Sequence, residues 1–426
     1  MIARQADCTR RTTWFYAGKH PLIHARSAVP DHSNGITGQD HMVGSWVEEL
    51  RSRIFQKEVT VYNSYGYRDP ADPAMWIVPM RVWVHDDVDT PLVEEALEGW
   101  AIGFFEKDLA RDLEPDEKTR LRACLAKFIA DDKRNEGVRF TLADDTTRTS
   151  FQFNERTTDN GVIAESIRIP DVLVRACYAS NARESRWLEI EARTDDGHGV
   201  GKGSIRFLEP EGLSVVSDID DTVKVTHVPA GKKTVLRNTF LKEFKAAEGM
   251  RERYLQWVVE AGDSTDTCFH YVSGSPWQLY GPLSRFLFDQ EKFPAGTVHM
   301  KSLRKNLLDS GAVRDIMAFA VGGDLATLDQ KVRQITNLMI HLPRRKFILV
   351  GDSGERDPEV YRAIQKLFPE QVLRIYIRDV QGERLAGMEV ITGADISVAL
   401  DTRELEEEME GLIAKARADA PTSPVL

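Results

Sequence analysis

The residues best placed to do chemistry begin in LSVVSDIDDTVKVT, where Asp218, Asp220 and Thr222 follow an apolar run at two-residue spacing. Two carboxylates so spaced at a strand end can converge on one ligand. The same pattern also describes an acidic turn that caps the next element. The segment FHYVSGSPWQLY adds Ser273 at a strand-to-helix turn, where a hydroxyl and free backbone N–H groups would bind an anion. A plain helix cap, for which Ser273 or Ser275 would serve, is the structural alternative. The segment KFILVGDSGERD adds Gly351 for a turn and two more carboxylates, Asp352 and Asp357. Lys331 lies 21 residues before Asp352 on the helix feeding that strand, whereas Lys346 sits at the strand's start, at the wrong end. Four carboxylates packed together repel unless a cation joins them. Hard carboxylate ligands with no His or Cys nearby point to Mg²⁺. His227 is near in sequence and reads as surface or flap rather than ligand.

These residues need a frame. From about 211, five apolar runs (213–217, 269–272, 298–303, 347–350, 372–377) alternate with helical patterns near 247–260, 276–288, 325–341 and 357–368. Buried runs alternating with helices predict a parallel sheet covered on both faces. In such sheets ligands sit beyond the carboxyl ends of the strands, where Asp218, Ser273 and Asp352 fall. The domain is expected over 211–400, followed by a C-terminal helix (403–417) and tail within 401–426.

Upstream, strand patterns at 59–62, 76–86, 137–143, 149–154, 161–169, 187–193 and 203–208 predict an antiparallel, β-rich, sandwich-like domain over 58–208. A helical insertion is expected over 91–134, marked by Leu92, Ala96, Trp100, Phe104, Leu121, Leu125 and Phe128. YGYRDPADP reads as a turn-rich loop. DDGHGVGKG (195–203) reads as a hairpin turn, since its glycines lack P-loop spacing and no helix follows. Residues 1–57 read as an arm and then a helix over 42–57.

Composition sets the outer bounds. A chain of 426 residues suggests two or three domains, and 42% hydrophobic residues suffice for a sizeable core. The net charge of −11 argues against nucleic-acid binding, though a local basic patch is compatible with it. Cys8, Cys124, Cys177 and Cys268 are too far apart in sequence for a metal knuckle or a CxxC pair, which fits a reducing compartment. No signal peptide and no apolar window of membrane-spanning length is seen. The expectation is a cytoplasmic protein, any membrane contact being peripheral.

Asp218-x-Asp220-x-Thr222, Ser273, Lys331 and the Gly351-Asp352…Asp357 group resemble, in order, the four signature motifs of haloacid-dehalogenase-type phosphatases. SDIDDTVKVT, HYVSGSPWQLY and KFILVGDSGERDPEVY are further similar to the catalytic domain of actin-patch-type Mg²⁺-dependent phosphatidate phosphatases, over about 211–395. The resemblance implies a haloacid-dehalogenase-like, Rossmann-like fold. It also implies that Asp218 is a nucleophile forming an aspartyl-phosphate and that Asp220 is the acid and then the base, with a raised pKa. Thr222 would support Asp220. Ser273 and Lys331 would bind phosphoryl oxygens. Mg²⁺ would be held by Asp218, the Asp220 carbonyl and Asp352, with Asp357 orienting its shell.

The gaps between Thr222 and Ser273 and between Ser273 and Lys331 look too short for a full cap domain. An uncovered site suits a phospholipid at a membrane surface, hydrolysed from phosphatidate to diacylglycerol. Lys224, Lys232, Lys233, Arg237, Lys301, Arg304 and Lys305 would face such a surface, with Trp277, Tyr280 and Phe293 nearby. Core packing of Trp277 and Tyr280, and simple solvation of the basic residues, are the plain alternatives. A phosphatase for a soluble phosphomonoester or a protein phosphosite is the competing enzyme reading. A non-catalytic interaction protein, with residues 58–208 binding an unknown partner, is the competing class.

Overall fold

The computed structural model describes residues 57–86, 113–130, 132–181, 186–262, 266–302, 325–380 and 396–399. The expected arm and first helix (1–56), most of the insertion before 113, Arg304, Lys305 and the C-terminal helix lie outside the described residues.

The apolar runs of the second half form one parallel sheet. Its strands are β9 (Leu213–Ser217), β10 (Cys268–Pro276), β11 (Gly296–Lys301), β12 (Lys346–Asp352), β13 (Val372–Arg378) and β14 (Ile396–Ala399). Their order is β11-β10-β9-β12-β13-β14, with every pairing parallel. Within this sheet the order reads 3-2-1-4-5-6, so the chain reverses its direction of travel beside β9. Ser217 is paired with Val350 on one side and Tyr271 on the other. That register sets Asp218, Ser273 and Asp352 at one edge. Every residue of β9 is buried, as expected of a strand covered on both faces. Helices Met250–Ala261, Leu325–His341 and Asp357–Leu367 supply the cover. The expected helix at 276–288 is an irregular helical run instead, in 3₁₀, α and π turns over 277–290.

The first half is mostly antiparallel: β1 (Lys57–Val61), β2 (Ser64–Asp69), β3 (Asp72–Asp86), β4 (Val138–Leu142), β5 (Ser150–Gln152), β6 (Val162–Pro170), β7 (Trp187–Thr194) and β8 (Val200–Phe207). All eight join one continuous sheet. Its hydrogen bonds do not draw the two separate sheets of a sandwich. The stretch YGYRDPADP is also not a loop. Ser64–Asp69 is a strand between β3 and β8, and the turn shrinks to the residues around Pro70 and Ala71. Tyr65 and Tyr67 supply the alternation, which Gly66 and the two prolines hide in sequence. The strand β8 begins at Val200, so the glycine-rich stretch is half turn and half strand. A Cβ on Gly201 would lie 1.7 Å from the Val59 carbonyl oxygen, so close strand approach explains that glycine. Helix Asp171–Ser180 was not expected, because two buried residues, Val174 and Cys177, are its only firm apolar markers.

The two sheets share cores. Tyr62, Trp83, Leu121 and Phe128 join the same buried cluster as Val215, Tyr254, Tyr271 and Tyr280. Tyr65 joins another with Val216, Ile335 and Phe347. The fully buried Arg345 clamps the joint between the sheets. Its guanidinium donates to the carbonyls of Glu209, Glu211 and Leu213 and to the Asp266 carboxylate at 2.9 Å, and Arg206 reaches the same carboxylate at 2.6 Å.

Candidate active site

The site is built at the carboxyl ends of β9, β10 and β12. Asp218 directly follows β9, and its N–H donates to Val350 O at 2.8 Å. Asp352 ends β12, and its Oδ1 accepts from the N–H groups of Gly354 and Glu355 at 2.6 and 3.1 Å. Asp357 opens the next helix, where a negative charge suits the helix dipole. Its Oδ2 accepts from Asp352 N at 3.2 Å. Oxygens of Asp218, Asp352 and Asp357 lie within 4.8 Å of one another, and all three residues are buried. Gly351 makes the closeness possible: a Cβ there would meet Asp357 Oδ2 at 2.5 Å.

Lys331 comes from helix Leu325–His341 and ties this group together. Its Nζ donates to Asp218 Oδ1 and Asp357 Oδ1 at 2.7 Å each, and to Glu355 Oε2 at 2.9 Å. Burial alone would pull this ammonium down, but the facing carboxylates of Asp218, Asp357 and Glu355 raise it well above the lysine range. Burial pushes the Asp218 carboxyl well up, Lys331 opposes this, and the neighbouring acids add to it. Burial, then Asp357 and Glu355, push Asp352 up as well. Two oxygens, Asp218 Oδ2 and Asp352 Oδ2, are buried with no hydrogen-bond partner. Unpaired buried carboxylate oxygens beside a third acid are what a hard cation requires.

Asp220 lies in a different environment from the one expected. Its Oδ1 accepts from Lys224 Nζ and Thr226 Oγ1 at 2.7 Å each. Its Oδ2 accepts from the Ser273 and Ser275 hydroxyls at 3.1 Å each. Burial favours the neutral acid, but Lys224 and these hydroxyls outweigh it and hold the carboxyl down at about 2. The expectation of a raised pKa for Asp220 is therefore corrected. Lys224, expected at the surface, is 1% exposed and serves Asp220.

The other expected residues divide. Ser273 is in the site, but its hydroxyl is turned to Asp220. Thr222 is buried with its hydroxyl unpartnered, so Thr226, four residues on, makes the contact expected of it. His227 is exposed, and Lys346 points to Glu370 O at the far end of its strand. Tyr280, Phe293 and half-buried Trp277 pack into the shared core rather than out to solvent. Sequence reasoning missed Glu355, although it stands between the two acids of GDSGERD. It also missed Asp221, which takes left-handed backbone (φ 57°) and accepts from the N–H groups of Thr226, His227 and Val228 at 2.6–2.8 Å. That clasp returns the chain so that Lys224 and Thr226 reach Asp220. Its one signal is a third acid in DIDD.

The second half is thus a parallel α/β domain with a buried site of carboxylates, hydroxyls and one lysine at its strand ends. Residues 213–379 match the family described as "Phosphatidate phosphatase APP1, catalytic domain". The chain is 33% identical over 172 residues to phosphatidate phosphatase APP1 of Saccharomyces cerevisiae, covering 40% of this chain and 27% of that protein. It is 30% identical over 181 residues to an uncharacterized protein of Schizosaccharomyces pombe, covering 42% and 27%. The matched region is about a quarter of the length of these relatives. Among solved structures, a Bacteroides uniformis beta-glucuronidase gives a TM-score of 0.22 at 8% identity, over 76% of this chain and 36% of that one, too weak a likeness to bear on the fold.

Proposed function

We propose that this protein is a phosphatidate phosphatase that works through an aspartyl-phosphate on Asp218. The observation that carries the reading is the Asp218 carboxylate itself: one oxygen is fixed by Lys331 and the other is unpartnered inside a ring of acids. The family match of residues 213–379 and the named yeast relative support the substrate class. The strand order supports a haloacid-dehalogenase-like fold for the same segment. A sandwich-like curl of the first sheet is supported by the single core shared by β1, β3, β4, β6, β7 and β8.

Asp218, Asp352 and Asp357 would hold Mg²⁺, with the Asp220 carbonyl, and the unpartnered oxygens of Asp218 and Asp352 fit it. When bound, the ion offsets negative charge on the phosphoryl group and the acids. The chain's own residues do the rest. The Asp218 carboxylate attacks phosphorus and the diacylglycerol oxygen leaves. Asp220 gives that oxygen a proton, then takes one from the water that hydrolyses the acyl phosphate. Lys331 holds Asp218 in line and neutralises charge. In this arrangement Asp220 is saturated by four donors, so Ser273 and Ser275 must turn to the phosphoryl oxygens as substrate enters. That exchange removes two donors from Asp220 and loosens the hold on its ionised form, against the Lys224 ammonium and the Thr226 hydroxyl, which stay.

Among the described residues no helix is long and apolar enough to cross a membrane. In this reading the protein is cytoplasmic and meets its lipid peripherally. The exposed Lys232 and Lys233 remain in reach of a lipid surface; Lys224 does not. The test is phosphate release from phosphatidate micelles and from soluble phosphate esters, with and without Mg²⁺. Activity on soluble esters alone would remove the lipid substrate from this reading.

A further inference from the structure

A cavity of about 480 Å³ lies between the two sheets. One wall is β3 and β6 of the first sheet. The other comes from Trp277 and Gln278, which directly follow β10, and Ser302, which directly follows β11. This wall therefore stands at the carboxyl ends of β10, which carries Ser273, and of its neighbour β11. Ser275, a partner of Asp220, is two residues from Trp277.

Its chemistry is two-sided. Tyr62, Trp83 and Trp277 give an aromatic wall, with Tyr62 edge-on to Trp277 at 4.4 Å. Arg81 lies over the Trp277 ring, its guanidinium carbon 4.1 Å from the centroid. A planar cation stacked this way is fixed in place with its edge donors directed sideways. One of those donors makes a 3.3 Å bond to Ser302 Oγ. The Nε donor is buried with no partner, and so is Gln278 Oε1 in the same cavity. No carboxylate stands within ion-pair distance of Arg81 among the described residues. Two acids line the cavity, Asp132, which takes the Trp83 indole N–H at 2.8 Å, and Glu155, which has Arg156 beside it in the lining. Buried donors and acceptors without partners are costly, and a ligand that drew the Arg81 and Gln278 side chains round into the cavity to meet it would relieve the cost.

We propose that this cavity is a second ligand site that takes a hydroxylated organic phosphate. The phosphate oxygens meet the Arg81 fork, a hydroxyl meets Gln278, and the carbon stem lies on the aromatic wall. A phospholipid headgroup and a soluble phosphate ester share this chemistry. With the lipid as source, a non-substrate headgroup held here would seat the catalytic edge on a bilayer despite the chain's net negative charge. That choice of source rests on the phosphatidate reading; the site itself does not.

The test uses phosphodiesters, which a phosphomonoesterase site does not turn over. Tryptophan emission of the full chain is titrated with glycerophosphoglycerol and with vesicles of phosphatidylglycerol in phosphatidylcholine. Saturable quenching is expected, with none from pure phosphatidylcholine vesicles. In Arg81→Gln the affinity should fall roughly ten- to a hundredfold, the worth of a charge-assisted hydrogen bond. In Gln278→Ala it should fall severalfold, and this variant decides the matter if circular dichroism shows Arg81→Gln unfolded. A response to vesicles alone assigns the site to lipid, and a response to the soluble diester supports the site for either source. No response from either probe, an equal response to neutral vesicles, or unchanged affinity in both variants overturns the proposal. Phosphatidate hydrolysis is assayed on the same preparation. Binding without hydrolysis would sink the proposed function and leave the cavity's role standing.

Discussion

The ammonium of Lys224 stands 2.7 Å from Oδ1 of Asp220, with both side chains buried. The pair is four residues apart, yet it is not a helical pair. A turn held by Asp221 brings the two together. This contact makes the carboxylate beside the proposed nucleophile a stronger acid than an ordinary carboxyl in the resting protein. The first prediction concerns it. Lys224→Met removes the cation and leaves Asp220 with hydroxyl donors only. The Asp220 pKa should rise, so the basic limb of kcat/KM for a poor leaving group should move to higher pH. An unmoved limb would take Asp220 out of the acid role.

The same depression has a stability consequence. Asp220 is held at about 2 against an ordinary value of 3.8, so it stabilises the fold above pH 4. A difference of this size is worth about 2 kcal/mol. That contribution should be lost as pH falls from about 4 toward 2, because protonation then favours the unfolded chain. Urea melts of wild type and Asp220→Asn across this range should converge at the acid end.

The metal prediction rests on the two unpartnered oxygens of Asp218 and Asp352. Mg²⁺ should raise the melting temperature of the wild type, since a ligand of the folded state stabilises it by mass action. Asp352→Asn should weaken that shift and require more Mg²⁺ for turnover. EDTA should abolish activity. Full turnover in EDTA would remove the ion from the reaction.

Trapping separates the two acids of the first motif. Asp218→Asn should yield no phosphoenzyme from any substrate. Asp220→Asn should still form some from an aryl phosphate, whose leaving group needs little protonation, and then release phosphate slowly. Loss of one acid–base group costs on the order of 10²–10⁴ in rate. A labelled intermediate in Asp218→Asn would move the nucleophile elsewhere.

The joint between the sheets gives a purely structural prediction. Arg345→Met strips the Asp266 carboxylate of one cation and leaves the Glu209, Glu211 and Leu213 carbonyls without their donor. Breaking a buried pair by removing one partner costs about 3–5 kcal/mol. Arg206 still reaches Asp266, so the loss should fall at the lower end. Denaturant midpoints measure it, and a neutral substitution would show that the clamp is idle.

Much of this protein was legible in order along the chain. The strands of the parallel sheet follow from short apolar runs, because a strand buried on both faces has no polar alternation to keep. The acids of DIDDT and GDSGERD, Ser273 and Lys331 could be picked out because strand ends in such sheets converge on one edge. What remained hidden depended on contacts that no local pattern records. SYGYRD became a strand because β3 and β8 offered it partners on both sides. Lys224 looked like one of several surface lysines until the Asp221 turn aimed it inward. Thr226 replaced Thr222 for the same reason. Arg81 and Trp277 are nearly two hundred residues apart, and nothing in either neighbourhood announces the other. The acid–base state of Asp220 was decided by which of its neighbours the fold turned toward it, since in a buried site the nearest charge outweighs the burial that the sequence alone could anticipate.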